Sequence, residues 1–463
     1  MDLRTFIGML EERGELKRVK IEVDPTYEMS AVMKRLEKED GPAVLFDNPS
    51  RYTGTKILGN LYSSERRIAL GVGVAADSIE RKDIVQKLIA PLYAKAQDSL
   101  VAPKLVGGGG LDRKTITEGI DVLRHVPVLT HCERDGGPYI SAGMVVAKYP
   151  ETKDRVIQVI EMQVKGPDRI AISPVTPMMP QAFQRAEELN QPLEIAIAIG
   201  VAPDLMLASC SPMEFVGADK YELAGAFRGS PIDVVMCRTV DLEVPADAEY
   251  VIEGIVMPNE RAEMGPYGDY FRTYYWKESK PVIVVKAITC RHDAIYQAIL
   301  ADGNECINMM ALPIEWTLLN RLRKTFPFID QVYLPRSSCG HHVIISMSKF
   351  REEDSKEVLY HILSNPFLPK HAVVVDCDVD VSDFREVDWA IVSRVQADRD
   401  VVIMPGLSGS PLDPSAGPGG LSARMGIDAT RSLRIRKEKY ERSDVPQAVK
   451  KKIDGLWNQL FDE

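Results

Sequence analysis

The 463 residues exceed what a single hydrophobic core ordinarily serves, so two or three domains are expected. With 45% apolar and 27% charged residues the composition is that of a soluble globular protein, and no apolar run reaches the ~20 residues of a membrane span. A net charge of −10 argues against nucleic acid as a partner, the charged start MDLRTFIGMLEERGEL argues against a signal peptide, and seven scattered cysteines without a Cys-x-x-Cys argue against disulfides or zinc. The expectation is a cytoplasmic chain with no membrane association.

Leu3, Phe6, Ile7 and Leu10 fall at helical spacing behind Asp2 as cap, with Gly14 as stop. ELKRVKIEV and PAVLFDN read as strands, and residues 78–97 as a long helix. Residues 1–110 therefore read as an α/β domain that closes at the flexible glycine run 106–110. From 111 to 304 short strands separated by Gly, Pro and Asp turns predict a barrel or a strongly curved sheet, interrupted by one helix at 180–191. From 305 to 440 helices and strands alternate, which predicts an α/β domain with a mostly parallel sheet. In the tail, 441–463, Val445, Val449, Ile453, Trp457, Leu460 and Phe461 make one apolar stripe of an amphipathic helix. Such a stripe docks on its own domain or on a partner subunit.

Several stretches invite a chemical reading. His341 and His342 are neighbours on a predicted strand and point to opposite faces, so they do not share a metal. The acids of DCDVDVSD lack the glycine and closing glutamate of a calcium loop. Arg291 and His292, at the end of an apolar strand, suit either a substrate carboxylate or a surface ion pair. The Gly/Pro-rich loop 409–423 delivers Arg424 just before an expected helix, where a guanidinium could hold a phosphate or carboxylate, or simply order a lid. In NERAEMGPYGDYFRTYY the turn Gly265-Pro266-Tyr267-Gly268 fixes where Asp269 points. Carboxylates preset by a turn beside aromatic rings suit proton transfer, because an apolar wall raises a carboxyl pKa. Tyr267, Tyr270, Phe271, Tyr274 and Tyr275 suit a flat aromatic acid but are equally ordinary barrel packing.

MQVKGPDRIAI, YELAGAFRGSP, GPYGDY and SPLDPSAGPGGLSARMGIDAT stand in the order seen in the UbiD family of decarboxylases, which the chain resembles over essentially its whole length. The resemblance implies an N-terminal α/β domain, a central split β-barrel that binds flavin, and a C-terminal α/β domain whose last helix swaps across a homodimer. It implies reversible decarboxylation of aromatic or α,β-unsaturated acids with prenylated FMN, whose phosphate is bridged to the protein by a cation. Carried over position by position, the family's asparagine falls on Val156, its catalytic arginine on Glu161, its metal-binding histidine on Met178 and its metal-binding glutamate on Lys220. The catalytic glutamate before the turn falls on Met264, the acid after the turn survives as Asp269, and the phosphate-binding lysine falls on Arg424. Valine and methionine do not bind a hard cation and an ammonium repels one, so no metal and weak or absent flavin binding are expected. A one-residue shift would put Glu263 at the acid position, at the expense of an insertion in a tight turn. The two new charges, Glu161 and Lys220, are expected to pair across the old cofactor pocket.

Three functions follow from this reading. The first is a degenerate-site subunit that assembles with a paralogous catalytic UbiD-type subunit, as in a phenylphosphate-carboxylase-like complex. The second is a self-sufficient decarboxylase of a small aromatic or unsaturated acid, with Asp269 or Glu263 as acid and Arg291 and Arg424 orienting the carboxylate. The third is a protein that binds a ligand without chemistry.

Overall fold

The computed structural model describes all residues except 75–83, 108–112, 175–177, 213–218, 365–368 and 462–463. The first helix, Leu3–Glu12, is capped by Asp2, whose side chain accepts from Thr5 N at 2.8 Å, and it buries Leu3, Phe6, Ile7 and Leu10. Strands Leu16–Val19, Ala43–Phe46 and Lys56–Gly59 form the N-terminal sheet. Its fourth strand, Ile295–Gln297, arrives from far along the chain and pairs in parallel with Lys56–Leu58. The helix expected over 78–97 is present from residue 84 to Asp98; its start, like most of the glycine run, lies outside the described residues.

The central strands close into a ring. In order around it stand Tyr139–Lys148, Arg155–Gly166, Arg169–Ile172, Glu278–Arg291, Tyr250–Met264 and Leu193–Ile199, which pairs back to the first; every pairing is antiparallel. Side chains alternate across each strand. Val156, Ile160, Met162 and Val164 join residues of all the other ring strands in one inner apolar cluster. Ile157 and Val159, of the other parity, pack on the outer cluster, against which lie the helices Pro203–Ser209 and Lys220–Arg228. One helix was expected in this region, at 180–191; among the described residues the structure has it at Met178–Glu188 and adds the single turn Val122–His125 and these two. Both are short and mostly buried, so they carry no polar face to mark them as helices.

The C-terminal sheet runs in the order Ile329–Tyr333, His342–Met347, His371–Asp376, Leu421–Ala429, Val401–Ser408. It is mixed rather than mostly parallel: its two central pairings are parallel and its two outer ones antiparallel. Arg424 lies inside the strand Leu421–Ala429 and not before a helix; Val401–Ser408 and this strand form a hairpin across the Gly/Pro loop. The tail forms helices Gln447–Asp454 and Trp457–Phe461. Of its stripe, Val445, Val449, Ile453, Trp457 and Leu460 are all exposed, Trp457 at 56%. The Phe461 side chain lies outside the described residues. Among the described residues no helix is long and apolar enough to cross a membrane.

One buried carboxylate joins the first helix, the ring and the returning strand. Glu249, with a side chain 0% exposed, accepts from Arg4 Nε at 2.6 Å and Nη2 at 2.8 Å and from Ile295 N at 3.1 Å. Its removal leaves the Ile295 amide without its acceptor and the Arg4 guanidinium without its counter-charge, with the carbonyls of His292 and Asp293 still accepting from Nη2. Glu249→Ala should therefore destabilise the fold by ~3–5 kcal/mol, read as a fall of several degrees in the thermal unfolding midpoint. A midpoint unchanged within about one degree would show that this junction is not limiting.

Candidate functional site

The turn after the strand Tyr250–Met264 is held from three sides. Gly265 N donates to Gln163 Oε1 at 2.9 Å, Gly268 N to Asp135 Oδ1 at 2.9 Å, and Gly136 N to Pro266 O at 2.8 Å. Gly136 permits this approach, since a Cβ there would stand 2.2 Å from the Gly265 carbonyl oxygen. The turn aims Asp269 inward. Its Oδ1 accepts from Phe271 N at 2.8 Å, and its Oδ2 is buried with no hydrogen-bond partner. Burial pushes the Asp269 carboxyl up to about 6, against the backbone donors at Phe271 and Thr273, with Asp302 adding a like charge. Asp302 in turn takes Lys34 Nζ at 2.5 Å.

Behind the turn, Met264 is fully buried in a cluster with Tyr139, Ala171, Tyr267 and Ala301. Tyr267 stacks on Tyr139 at 4.1 Å and meets Tyr275 edge-on at 5.9 Å. These rings act as packing. Tyr270 and Phe271 instead face the C-terminal domain: the His341 ring stacks on Phe271 at 4.8 Å, and Tyr270 Oη stands 3.4 Å from Ser410 Oγ. His342 turns the other way, toward His371, as strand alternation requires.

Glu161 and Gln163 project from the outer face of the ring toward this turn. Burial raises the Glu161 carboxyl, and the nearby Asp269 charge raises it further. Lys220 opens the helix Lys220–Arg228 behind the cap Asp219. The expected Glu161–Lys220 pair does not form: Lys220 Nζ donates to the Ser211 carbonyl at 2.7 Å, and among the described residues no ion pair joins the two. Burial lowers Lys220 to about 8. Between them sits Cys210, a thiol raised to about 12 by burial, with Lys220 drawing it down and Glu161 pushing it up. Cys306, also raised by burial and then by Glu161, completes the wall.

The remaining expected residues are dispersed. Val156 points into the ring and is 3% exposed, so it lines no cofactor site. Met178 starts the helix Met178–Glu188 and packs against the same inner cluster. Glu263 has the opposite parity to Met264; its side chain is 62% exposed and pairs with Lys277 at 2.6 Å, so it is not the acid of this site. Arg291 and His292 lie at the far end of the strand Glu278–Arg291, whose near end pairs with Met264. Arg291 therefore does not orient a carboxylate beside Asp269. His292 presents its backbone carbonyl to Arg4 Nη2 at 3.2 Å. Arg424 donates to the carbonyls of Leu363 at 2.7 Å and Ser408 at 2.9 Å, and burial lowers its pKa. Its charge also reaches His341, which places it on the C-terminal side of the space facing Asp269.

Three participants escaped the sequence reading. Gln163 stood inside the quoted motif MQVKG without a role, and its two-residue spacing from Glu161 was the available signal. Cys210 and Cys306 were read as ordinary buried thiols. Nothing local to a single cysteine marks it as part of a site.

Two variants test this geometry. Gly136→Ala should displace the turn, because its Cβ meets backbone and not a yielding side chain; a loss of roughly 1–3 kcal/mol is expected in thermal unfolding, and an unperturbed midpoint would refute the close contact. For Asp269 the folded pKa, about 6, lies above the ordinary 3.8. The native state then holds the proton more tightly than the unfolded chain, so the stability this gives is full below pH ~4 and is lost as pH rises through ~6. Asp269→Asn should remove that dependence. Relative to the parent it should gain on the order of 2–3 kcal/mol between pH ~4 and ~8. A difference that stays flat with pH would show that the carboxyl is not held protonated.

Comparison with known proteins places the whole chain. Family models match residues 7–88 as the 3-octaprenyl-4-hydroxybenzoate carboxy-lyase N-terminal domain, 111–304 as its Rift-related domain and 307–429 as its C-terminal domain. Anhydromevalonate phosphate decarboxylase of Methanothermobacter thermautotrophicus is 34% identical over 441 residues, covering 95% of this chain and 99% of that protein. The UbiD-class enzyme HmfF of Pelotomaculum thermopropionicum, solved in complex with FMN, superposes with a TM-score of 0.89 at 35% identity, over 97% of this chain and 98% of its own. Vanillic acid decarboxylase of Sedimentibacter hydroxybenzoicus in its closed form gives 0.85 at 30% identity, over 100% of this chain and 99% of its own. The chain belongs to the UbiD family of carboxy-lyases.

Proposed function

We propose that this chain is a UbiD-type scaffold with a rewritten flavin pocket, serving as the companion subunit of a hetero-oligomeric aromatic acid (de)carboxylase. The observation that carries this reading is the joint replacement of the cation and phosphate ligands. At the positions the family resemblance assigns to them stand Val156 and Met178, both packed on the inner apolar cluster, and Lys220, whose ammonium is spent on the Ser211 carbonyl. Prenylated FMN, where bound, supplies the electron sink for losing carbon dioxide. A cation-linked phosphate does not fit these residues, because a hard cation needs oxygen or nitrogen donors that valine and methionine lack. Met264 cannot transfer a proton either.

Assembly is supported by the tail. An exposed apolar stripe of Val445, Val449, Ile453, Trp457 and Leu460 loses little by being covered and gains by burial. The reading is a homodimer unit joined through this helix, which then meets a paralogous catalytic subunit. The vanillic acid decarboxylase neighbour is itself a two-component protein, VdcCD.

A second reading has its own observation. Asp269 keeps a carboxyl poised near neutrality, with an unpartnered Oδ2 beside Tyr270 and Phe271. In a self-sufficient decarboxylase of a small aromatic or unsaturated acid, that oxygen would deliver the proton to the carbon that loses carbon dioxide.

The test is production of the chain with a prenyltransferase that makes the modified flavin, alone and with a UbiD-type paralogue, recording absorbance and mass after desalting. A chain free of flavin that co-purifies with the paralogue is expected. Stoichiometric prenylated flavin together with a divalent ion in the lone chain would overturn the companion-subunit reading and favour the second.

A further inference from the structure

At the end of the ring away from Asp269 lies a cavity of about 770 Å³. It opens between the three-stranded sheet Lys104–Leu105, Asp233–Met236, Glu243–Pro245 and the strand end at Arg291. That volume falls in the ~300–1,000 Å³ range of small-molecule sites. Ile232, Val235, Val244 and Val251 supply apolar lining, and Arg113 and Arg291 line the same space.

The two arginines are an unusual pair. They are direct cross-strand partners, Arg291 opposite Arg113, so their side chains leave the same face of the sheet. Like charges placed this way repel: burial lowers the pKa of Arg113, the Arg291 charge lowers it further, and the Asp247 and Glu249 charges oppose this. Asp2, Asp233, Asp247 and Glu253 also line the cavity, but among the described residues no carboxylate pairs with Arg113. Among those residues Arg113 Nη2 donates to the carbonyls of Ala246 at 2.5 Å and Ala248 at 3.1 Å, and its Nε is buried with no hydrogen-bond partner. Arg291 reaches the Asp247 carbonyl at 3.4 Å, and its Nε lies 4.0 Å from Glu249, whose oxygens already serve Arg4 and Ile295 N. Of the two other arginines that line the cavity, Arg228 is satisfied by Asp204 at 2.7 and 2.8 Å, and Arg238 donates its backbone N–H to Glu253 Oε2 at 2.9 Å. The Asp247 carboxylate also lines the space, and among the described residues it makes no ion pair within 4 Å.

Two adjacent guanidinium groups, one with an orphaned N–H, in a half-open cavity with apolar lining, lack one kind of partner. It is a planar or tetrahedral oxyanion that takes several N–H donors at once, attached to a small apolar body. We propose that this cavity is a binding site for a small organic oxyanion, a carboxylate or phosphate monoester, bridged by Arg113 and Arg291 and separate from the Asp269 space. This gives Arg291 an anion-binding role at the opposite end of the ring from the one its strand-end position first suggested. The proposal is independent of how the Asp269 site functions.

The probes are phenyl phosphate, benzoate and inorganic phosphate, titrated into the full chain by calorimetry and followed by thermal shift. Saturable binding of at least one of them below about 10 mM is expected. Whether the phosphate or the carboxylate probe binds more tightly identifies the head group, and inorganic phosphate binding as well as phenyl phosphate would assign the site to free phosphate. Arg113→Gln and Arg291→Gln should each weaken binding about tenfold or more. Arg113→Lys keeps the charge but loses the planar fork, so it should also weaken binding, and it serves if the glutamine variant does not fold. Asp269→Asn should leave the affinity unchanged. No saturable binding of any probe, binding that survives in the arginine variants, or binding lost in Asp269→Asn would overturn the proposal.

Discussion

The closure of the six-stranded antiparallel ring is the constraint on which the rest depends. Once the strand Leu193–Ile199 pairs with both Tyr139–Lys148 and Tyr250–Met264, every strand has a fixed inner and outer face. A slip of one residue anywhere would exchange the two faces and expose the inner cluster. Parity then dictates chemistry. In the strand Arg155–Gly166 it sends Val156 and Met162 inward and leaves Glu161 and Gln163 outside, facing the Asp269 turn. In the strand Tyr250–Met264 it buries Met264 and turns Glu263 to solvent. No local rearrangement can bring Glu263 to the place of Met264 without breaking the ladder.

Within that frame, desolvation outweighs pairing at the candidate site. An ion pair would lower a carboxyl pKa and raise an amine. Here the Glu161 and Asp269 carboxyls rise and the Lys220 amine falls, the signature of groups buried without an opposite charge at hand. The space moves toward neutrality as a whole. That behaviour lets Glu161 and Lys220 stand near one thiol, Cys210, without forming a bonded pair. Burial weakens the charged form of each, and the Lys220 ammonium keeps a carbonyl acceptor at Ser211. A pocket of this kind suits a neutral or weakly polar surface better than a phosphate bridged by a cation.

Much of the fold was legible because it is written in local periodicity. Leu3, Phe6, Ile7 and Leu10 behind Asp2 declared a helix, and the β-branched runs of the central region declared a curved sheet. The ordered motifs carried the family. Local rules failed where the structure depends on residues distant in sequence. The strand holding Arg424 was taken for a helix, because its partners at 371–375 and 401–408 supply the order that its own glycine-rich approach does not. Glu161 and Lys220 were expected to meet, but a shared pocket does not specify a shared hydrogen bond, and the Ser211 carbonyl competes successfully for the ammonium. Arg291 was assigned to the wrong end of the ring because spacing along a strand says nothing of which end carries the site. Its actual surroundings come from Glu249, Asp247 and Arg113, none adjacent to it in sequence.

The C-terminal domain completes the environment of Asp269. Phe271 and Tyr270 leave the same turn as the carboxyl and are capped by His341 and Ser410, while Arg424 is held behind them by the carbonyls of Leu363 and Ser408. Oδ2 is buried without a hydrogen-bond partner, and burial raises the Asp269 pKa to about 6. The turn and the C-terminal domain thus meet at the two residues that directly follow the acid.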